Sequence, residues 1–196
     1  GKSTLLRILA GALAPDEGTV ALLGEALGPG CFANAKLRTR IGYIAQVTEL
    51  DPEMTGREAL ELFATLHGVV RGARASYVDS VAEAFGIRSD LDRLAKRYSG
   101  GMRRRLHVSC GLVHAPELLL LDEPTEGIQP NIIQLIGQVL SDLVENQGLT
   151  VVLVEQYLDF VREFGHNFYI MNRGRVVADG ETENLTDELV SQYLSV

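Results

Sequence analysis

The stretch Leu118-Leu119-Leu120-Leu121-Asp122-Glu123-Pro124 is an unbroken apolar run that ends in two carboxylates and a proline. A run this short, stopped at a turn, predicts a strand buried on both faces, which points to a parallel sheet. Parallel strands require crossover connections, so the class is α/β. Ligands of such sheets bind beyond the carboxyl ends of the strands, where Asp122 and Glu123 fall. Taken alone, the two acids also fit a solvated strand end before a turn.

Working outward, the chain opens on Gly1-Lys2-Ser3-Thr4, followed by apolar residues at Leu6, Leu9, Ala10 and Leu13. That spacing predicts a helix with one buried face, starting at the Gly-Lys-Ser. A helix start offers unpaired N–H groups and a partial positive charge to phosphate oxygens. Gly1-Lys2-Ser3 matches the last three positions of the phosphate loop G-x-x-x-x-G-K-S/T. Lys2 would reach the β- and γ-phosphates and the Ser3 hydroxyl would bind Mg²⁺. The expectation is a chain truncated inside its own phosphate loop, without the strands that precede it.

Short strands are predicted at 19–23 and 40–44, with Gln46 after the second, and a buried strand at 150–154. Phe168–Met171 and Arg175–Val177, joined through Gly174, read as a hairpin, with a helix from about Asp187. Residues 50–95 change character. Thr55 with Glu58 forms a capping box, Leu62, Phe63 and Leu66 supply one apolar stripe, and Val78, Val81, Ala82 and Phe85 supply another, stopped by Gly86. An all-helical insertion is expected there, continuing to about 113. Ile132, Leu135, Ile136, Val139, Leu140 and Leu143 form the clearest helical stripe.

Tyr98-Ser99-Gly100-Gly101-Met102 opens the last helix of the insertion. A hydroxyl, two small residues and a helix start make a second phosphate-type cradle, although a plain Ser cap followed by glycines reads the same way. Arg103, Arg104 and Arg105 read as a solvated face.

Composition narrows the field. The chain has 196 residues, of which 46% are hydrophobic, enough to bury a core in a single domain over 1–196. A net charge of −8 argues against nucleic acid as a partner. No apolar stretch is long enough to span a bilayer, so membrane contact is expected through a partner. Cys31 and Cys110 read as spectator thiols of a reducing compartment, and the four histidines show no metal-ligand spacing with them.

In the order of these motifs, and over the whole chain, the sequence resembles the ATP-binding cassette (ABC) family. The resemblance implies a P-loop NTPase of the ABC ATPase fold, with a mainly parallel core sheet and an all-helical subdomain. ATP and Mg²⁺ would be held by Gly1, Lys2, Ser3, Thr4, Gln46 and Asp122, with Ser3, Gln46 and Asp122 around the metal. Glu123 would be the catalytic glutamate, and Gln156 would stand at the switch position. Cassettes of this family dimerise head to tail, so Ser99, Gly100 and Gly101 would contact the ATP of a second cassette. Transmembrane permease subunits would be the other partners, which implies a peripheral place on the cytoplasmic face of the inner or plasma membrane.

Three positions depart from the family pattern. Met102 stands where glutamine is usual, Gly127-Ile128-Gln129 lacks the usual aspartate, and Gln156 replaces a histidine. A glutamine can hydrogen-bond a phosphate but cannot carry a proton as histidine can.

The sub-family resemblance divides. Leu120 to Ile133, Val154-Glu155-Gln156-Tyr157 and the ending Tyr193-Leu194-Ser195-Val196 resemble urea and branched-chain amino-acid uptake ATPases. Met54-Thr55-Gly56-Arg57-Glu58 and Tyr98 to Arg105 resemble ATPases of lipid and drug exporters. The longer C-terminal match leans the expectation toward uptake, with an exporter as the alternative. A soluble ABC ATPase outside transport, or a folded but inactive fragment, are the readings of another class.

Overall fold

The computed structural model describes residues 1–27, 35–47 and 50–194. Cys31, Ser195 and Val196 lie outside them. The chain begins in α1 (Lys2–Leu9) and forms a hairpin from β1 (Val20–Leu22) and β2 (Glu25–Leu27). It then passes through α2 (Ala35–Arg38) to β3 (Ile41–Ile44). Three helices follow, α3 (Gly56–Leu66), α4 (Arg74–Ala84) and α5 (Gly100–Leu112), and lead to β4 (Leu118–Asp122). Next come α6 (Pro130–Gln147), β5 (Thr150–Val154), α7 (Leu158–Phe164), β6 (Asn167–Asn172), β7 (Arg175–Glu181) and α8 (Asp187–Leu194).

β3, β4 and β5 form a parallel sheet in that order, with Ile44 opposite Leu121 and Asp122 opposite Val154. β4 is the central strand, and all five of its residues are buried. Successive side chains of a strand point to opposite faces, and the four leucines divide accordingly. Leu118 and Leu120 pack with Leu6, Leu37 and Ile41 on one face. Leu119 and Leu121 join the larger core of α3 to α6 on the other. The polyleucine run is therefore the layer between two cores. On the larger-core side α5 comes very close: a Cβ on Gly42 would lie 2.1 Å from the carbonyl oxygen of Gly111, so both positions must stay small.

The capping box at α3 is complete: the Thr55 side chain accepts from Glu58 N–H, and Glu58 accepts from Thr55 N–H at 2.7 Å. The buried face of α3 is not the one expected. Leu62 is 41% exposed and Leu66 70%, whereas Gly56, Ala59, Leu60 and Ala64 are buried and Phe63 is partly covered. Small residues let α4 and α5 pack closely, and the larger leucines face outward. In α4 and just beyond it, Val78, Ala82 and Phe85 are buried as expected, and Gly86 leaves the helix at φ +59°.

α1 is shorter than its periodicity implies. It ends at Leu9 because Gly11 takes a left-handed φ of 76°, a common helix stop. Leu13 is then outside the helix and 39% exposed. Both hairpins, β1–β2 and β6–β7, turn on two residues of positive φ, Leu23-Gly24 and Arg173-Gly174. That geometry matches the twist of the strands. The first hairpin's return strand was not read from sequence. Cys110 is a free thiol with no exposed surface, and burial pushes its pKa up. No helix of the described residues is long and apolar enough to cross a membrane.

Candidate functional site

Because the three central strands are parallel, their carboxyl ends share one edge, and the residues that leave that edge are Gln46, Glu123 and Gln156. Their side chains meet. Gln156 Nε2 donates to Glu123 Oε1 at 2.6 Å, and Gln46 Nε2 lies 3.3 Å from Glu123 Oε2 and donates to Glu126 Oε2 at 2.9 Å. One carboxylate is thus held from both sides by carboxamides from two different loops. Glu123 adopts φ 48°, in the sparsely populated left-handed region, at a cost of about 1 kcal/mol or more. Its backbone N–H donates to Val154 O at 2.9 Å, which anchors the turn to β5.

Asp122 is 3% exposed, and its Oδ1 has no hydrogen-bond partner. By strand alternation Asp122 shares the face of Leu118 and Leu120, against which α1 packs. Tyr43, on that same face, has its phenol pKa raised by burial and then by the Asp122 carboxylate, with Arg7 acting in the opposite direction. Lys2 and Ser3 are half-buried at the start of α1, and Gly1 and Thr4 are exposed. Gly1 is the N-cap, without a side-chain cap, so the first N–H groups of α1 are left for another acceptor. An unpartnered buried carboxylate oxygen, a serine hydroxyl and the Gln46 amide are hard oxygen donors, the set that suits Mg²⁺.

Ser99, Gly100 and Gly101 do not join this group. Ser99 caps α5, accepting from Met102 N–H at 3.2 Å, and both Ser99 and Gly100 are exposed. Gly100 has open space beside it, while a Cβ on Gly101 would meet Ile132 at 3.0 Å. Tyr98 is a core residue whose hydroxyl donates to Asp90 O at 2.7 Å.

Two residues of the site were missed in the sequence. Arg104, expected on a solvated face, is 4% exposed and donates to the carbonyls of Pro124, Glu123 and Gln46. Arg103 and Arg105 also donate to main-chain carbonyls, of Tyr98 and of Phe85 and Gly86. An arginine run carries no local signal of this, because the three acceptors lie in two loops far apart in sequence. Glu155 is the other. Its Oε1 accepts from Thr125 N–H and Oγ1–H at 2.9 and 2.6 Å, and its Oε2 accepts from Gln156 N–H and Tyr157 N–H at 2.9 and 3.1 Å. The available signal was its position, one residue beyond β5, whose last residue Val154 pairs with Asp122 at the end of β4. β5 itself was expected to be buried, but none of its residues is, and Val152 is 37% exposed, because β5 is an outer strand of the described sheet.

Residues 1–126 match the family described as ABC transporter. The daunorubicin resistance ATP-binding protein DrrA3 of Streptomyces coeruleorubidus is 38% identical over the whole chain, which covers 61% of that protein. The Nod factor export ATP-binding protein I of Sinorhizobium fredii is 34% identical over 97% of the chain and 54% of its own length. The chain thus spans roughly three fifths of the length of such relatives. Among solved structures, the dimeric post-hydrolysis state of the ATP-binding cassette MJ0796, bound to ADP and Pi, superposes with a TM-score of 0.82. It is 25% identical, covering 93% of this chain and 81% of that one. An ATP-binding subunit of an ABC transporter, 23% identical, has the same fold at a TM-score of 0.80, over 98% of this chain and 77% of that one.

Proposed function

Because the chain belongs to the ABC transporter family, as an ATP-binding domain of the ABC ATPase fold, we propose that it hydrolyses ATP to power an exporter through partner membrane subunits. The observation that carries the reading is the single carboxylate of Glu123, held between Gln46 and Gln156 at the carboxyl edge of a parallel sheet. The names of the relatives, drug resistance and Nod factor export, favour the exporter resemblance of residues 54–58 and 98–105 over the lean to uptake drawn from the C-terminal stretches.

In this reading Lys2 and the free N–H groups of α1 bind the β- and γ-phosphates, and Ser3, Asp122 and Gln46 supply oxygens to Mg²⁺. When bound, the metal neutralises charge on the phosphate oxygens. Glu123 accepts a proton from the attacking water, and its two carboxamide neighbours fix the direction of its lone pairs. The amide nitrogen of Gln46 is committed to carboxylates, which leaves its oxygen for the cation. Gln156 can donate to either Glu123 or a phosphate oxygen, but it takes no proton.

The exposed Ser99-Gly100 start of α5, with open space beside Gly100, suits contact with ATP on a second cassette. The dimeric MJ0796 structure supports that assembly. We further read 1–196 as one ABC ATPase domain, with a helical subdomain from about 50 to 113 that transmits closure to permease subunits at the cytoplasmic face of the membrane.

ATP turnover should be measured for the chain and for the chain carrying a complete upstream phosphate loop, each with and without Glu123→Gln. The substitution should lower turnover by roughly 10²-fold or more while ATP binding persists. Equal turnover would remove Glu123 as the base. Vesicle assays with the permease subunits, offering daunorubicin, lipids, urea and amino acids on either side, would decide direction and cargo.

A further inference from the structure

The side chains of Gln46 and Glu123 can act only if their loops are held in place. Both sit just past the ends of strands. The Arg104 guanidinium meets both loops. Its Nη2 donates to Glu123 O at 2.6 Å, its Nε to Pro124 O at 2.7 Å, and its Nη1 to Gln46 O at 3.1 Å. Glu123 is therefore held at both ends of its residue, by Val154 O on its N–H and by Arg104 on its carbonyl. That is how a residue at φ 48° keeps one orientation.

The electrostatics allow a cation there. Burial lowers the pKa of Arg104, and the Glu155, Glu126 and Asp122 carboxylates oppose that shift by favouring the charged form. His107, one turn further along α5 and 8% exposed, is kept neutral, its pKa lowered to about 4 by burial and by Arg104 itself. That ring therefore adds no second positive charge beside the guanidinium. Five N–H donors in one rigid plane can satisfy three carbonyls at once, which an ammonium on a flexible stem cannot do with the same geometry.

We propose that Arg104 is a positioning residue for ATP hydrolysis, acting through the main-chain carbonyls of Glu123, Pro124 and Gln46 to hold the Glu123 carboxylate and the Gln46 amide in register. The proposal rests on the functional reading above. Arg104 is buried and its donors are committed to main-chain carbonyls, so its loss should act on the chemical step rather than on nucleotide binding. A misplacement of about 1 Å in a reacting group can cost on the order of 10²-fold in rate.

The test compares the unsubstituted protein with Arg104→Lys and Arg104→Gln, measuring kcat and KM for ATP, thermal unfolding, and ATP affinity in a Glu123→Gln background. The proposal expects kcat to fall by roughly 10- to 100-fold, with ATP affinity changed by less than about threefold and a single cooperative melt retained. It is overturned if either folded variant keeps full kcat, or if kcat and affinity fall together. It is also overturned if neither variant folds, which would make Arg104 a structural residue only. Absence of turnover in the unsubstituted protein overturns the functional reading itself and the proposal with it. Turnover that the substitutions leave untouched overturns the proposal alone.

Discussion

The side chain of Gln156 donates from Nε2 to Oε1 of Glu123 at 2.6 Å, so the loop after β5 grips the carboxylate at the end of β4. Removing that grip with Gln156→Ala should lower kcat by roughly 10-fold, since one donor to an oriented carboxylate is lost. Gln156→His should restore turnover above about pH 7 and add a loss on the acid side near the imidazole pKa of about 6.5. There the ring becomes a cation that pairs with Glu123 and lowers its basicity. The pH–rate profile of the two variants against the glutamine protein checks this. A histidine variant with an unchanged profile would show that residue 156 does not face the carboxylate during turnover.

Glu155 accepts four hydrogen bonds that join Thr125 to the start of the loop after β5. Thr125 is buried, so Glu155→Ala strands its N–H and hydroxyl without water. The expected cost is about 2–4 kcal/mol of stability. Glu155→Gln, which keeps an acceptor oxygen, should cost less. Urea unfolding of the two variants measures the difference, and equal midpoints would contradict the proposed network.

The two faces of α3 provide a packing test. Leu60 has no exposed surface, whereas Leu62 is 41% exposed. Leu60→Ala should destabilise by about 2–5 kcal/mol. Leu62→Ala should stay within about 0.5 kcal/mol. Thermal melts of both variants decide which leucine faces the core.

These cases show where sequence reasoning carried and where it stopped. The buried strand 118–122, the capping box at Thr55, the Ser99 cap and the C-terminal hairpin were legible because each is a local pattern of a few residues. So were Gln46, Asp122, Glu123 and Gln156 as candidates, since each follows or ends a predicted strand. The face of α3 was misread because its contacts use glycine and alanine, which weigh little in an apolar stripe. Arg104 was misread because its burial depends on three carbonyls that converge only after the sheet has formed. Gly42 and Gly111 gave no sign of their close approach for the same reason.

Acid should weaken the fold through two histidines. Burial lowers the pKa of His107 and of His114 to about 4, with Arg104 and His67 respectively adding to the effect. His114 also stacks on His67, with ring centroids 3.9 Å apart, and its Nε2 donates to Ile41 O at 3.2 Å. In the unfolded chain both rings take up protons near pH 6.5, while in the fold they stay neutral until about pH 4. The unfolded state therefore binds more protons between those values, and stability falls as pH drops through that window. The penalty is absent above about pH 6.5 and reaches on the order of 3 kcal/mol per ring near pH 4. Urea midpoints from pH 7.5 to 4.5 should show this slope. His114→Gln, whose amide can still donate to Ile41 O, should flatten it. An unchanged slope would place the effect elsewhere.

The order of strands in the central sheet also sets when each strand can find its partner during synthesis. β3 pairs with β4, yet α3, α4 and α5 are synthesised between them. At about 5–20 residues per second, the edge of β3 that β4 will occupy stays open for several seconds. During that time Ile41, Gly42, Tyr43 and Ile44 present unpaired backbone to any passing strand. That edge is covered only when the four leucines emerge, so the same short run that separates the two cores also closes one side of β3.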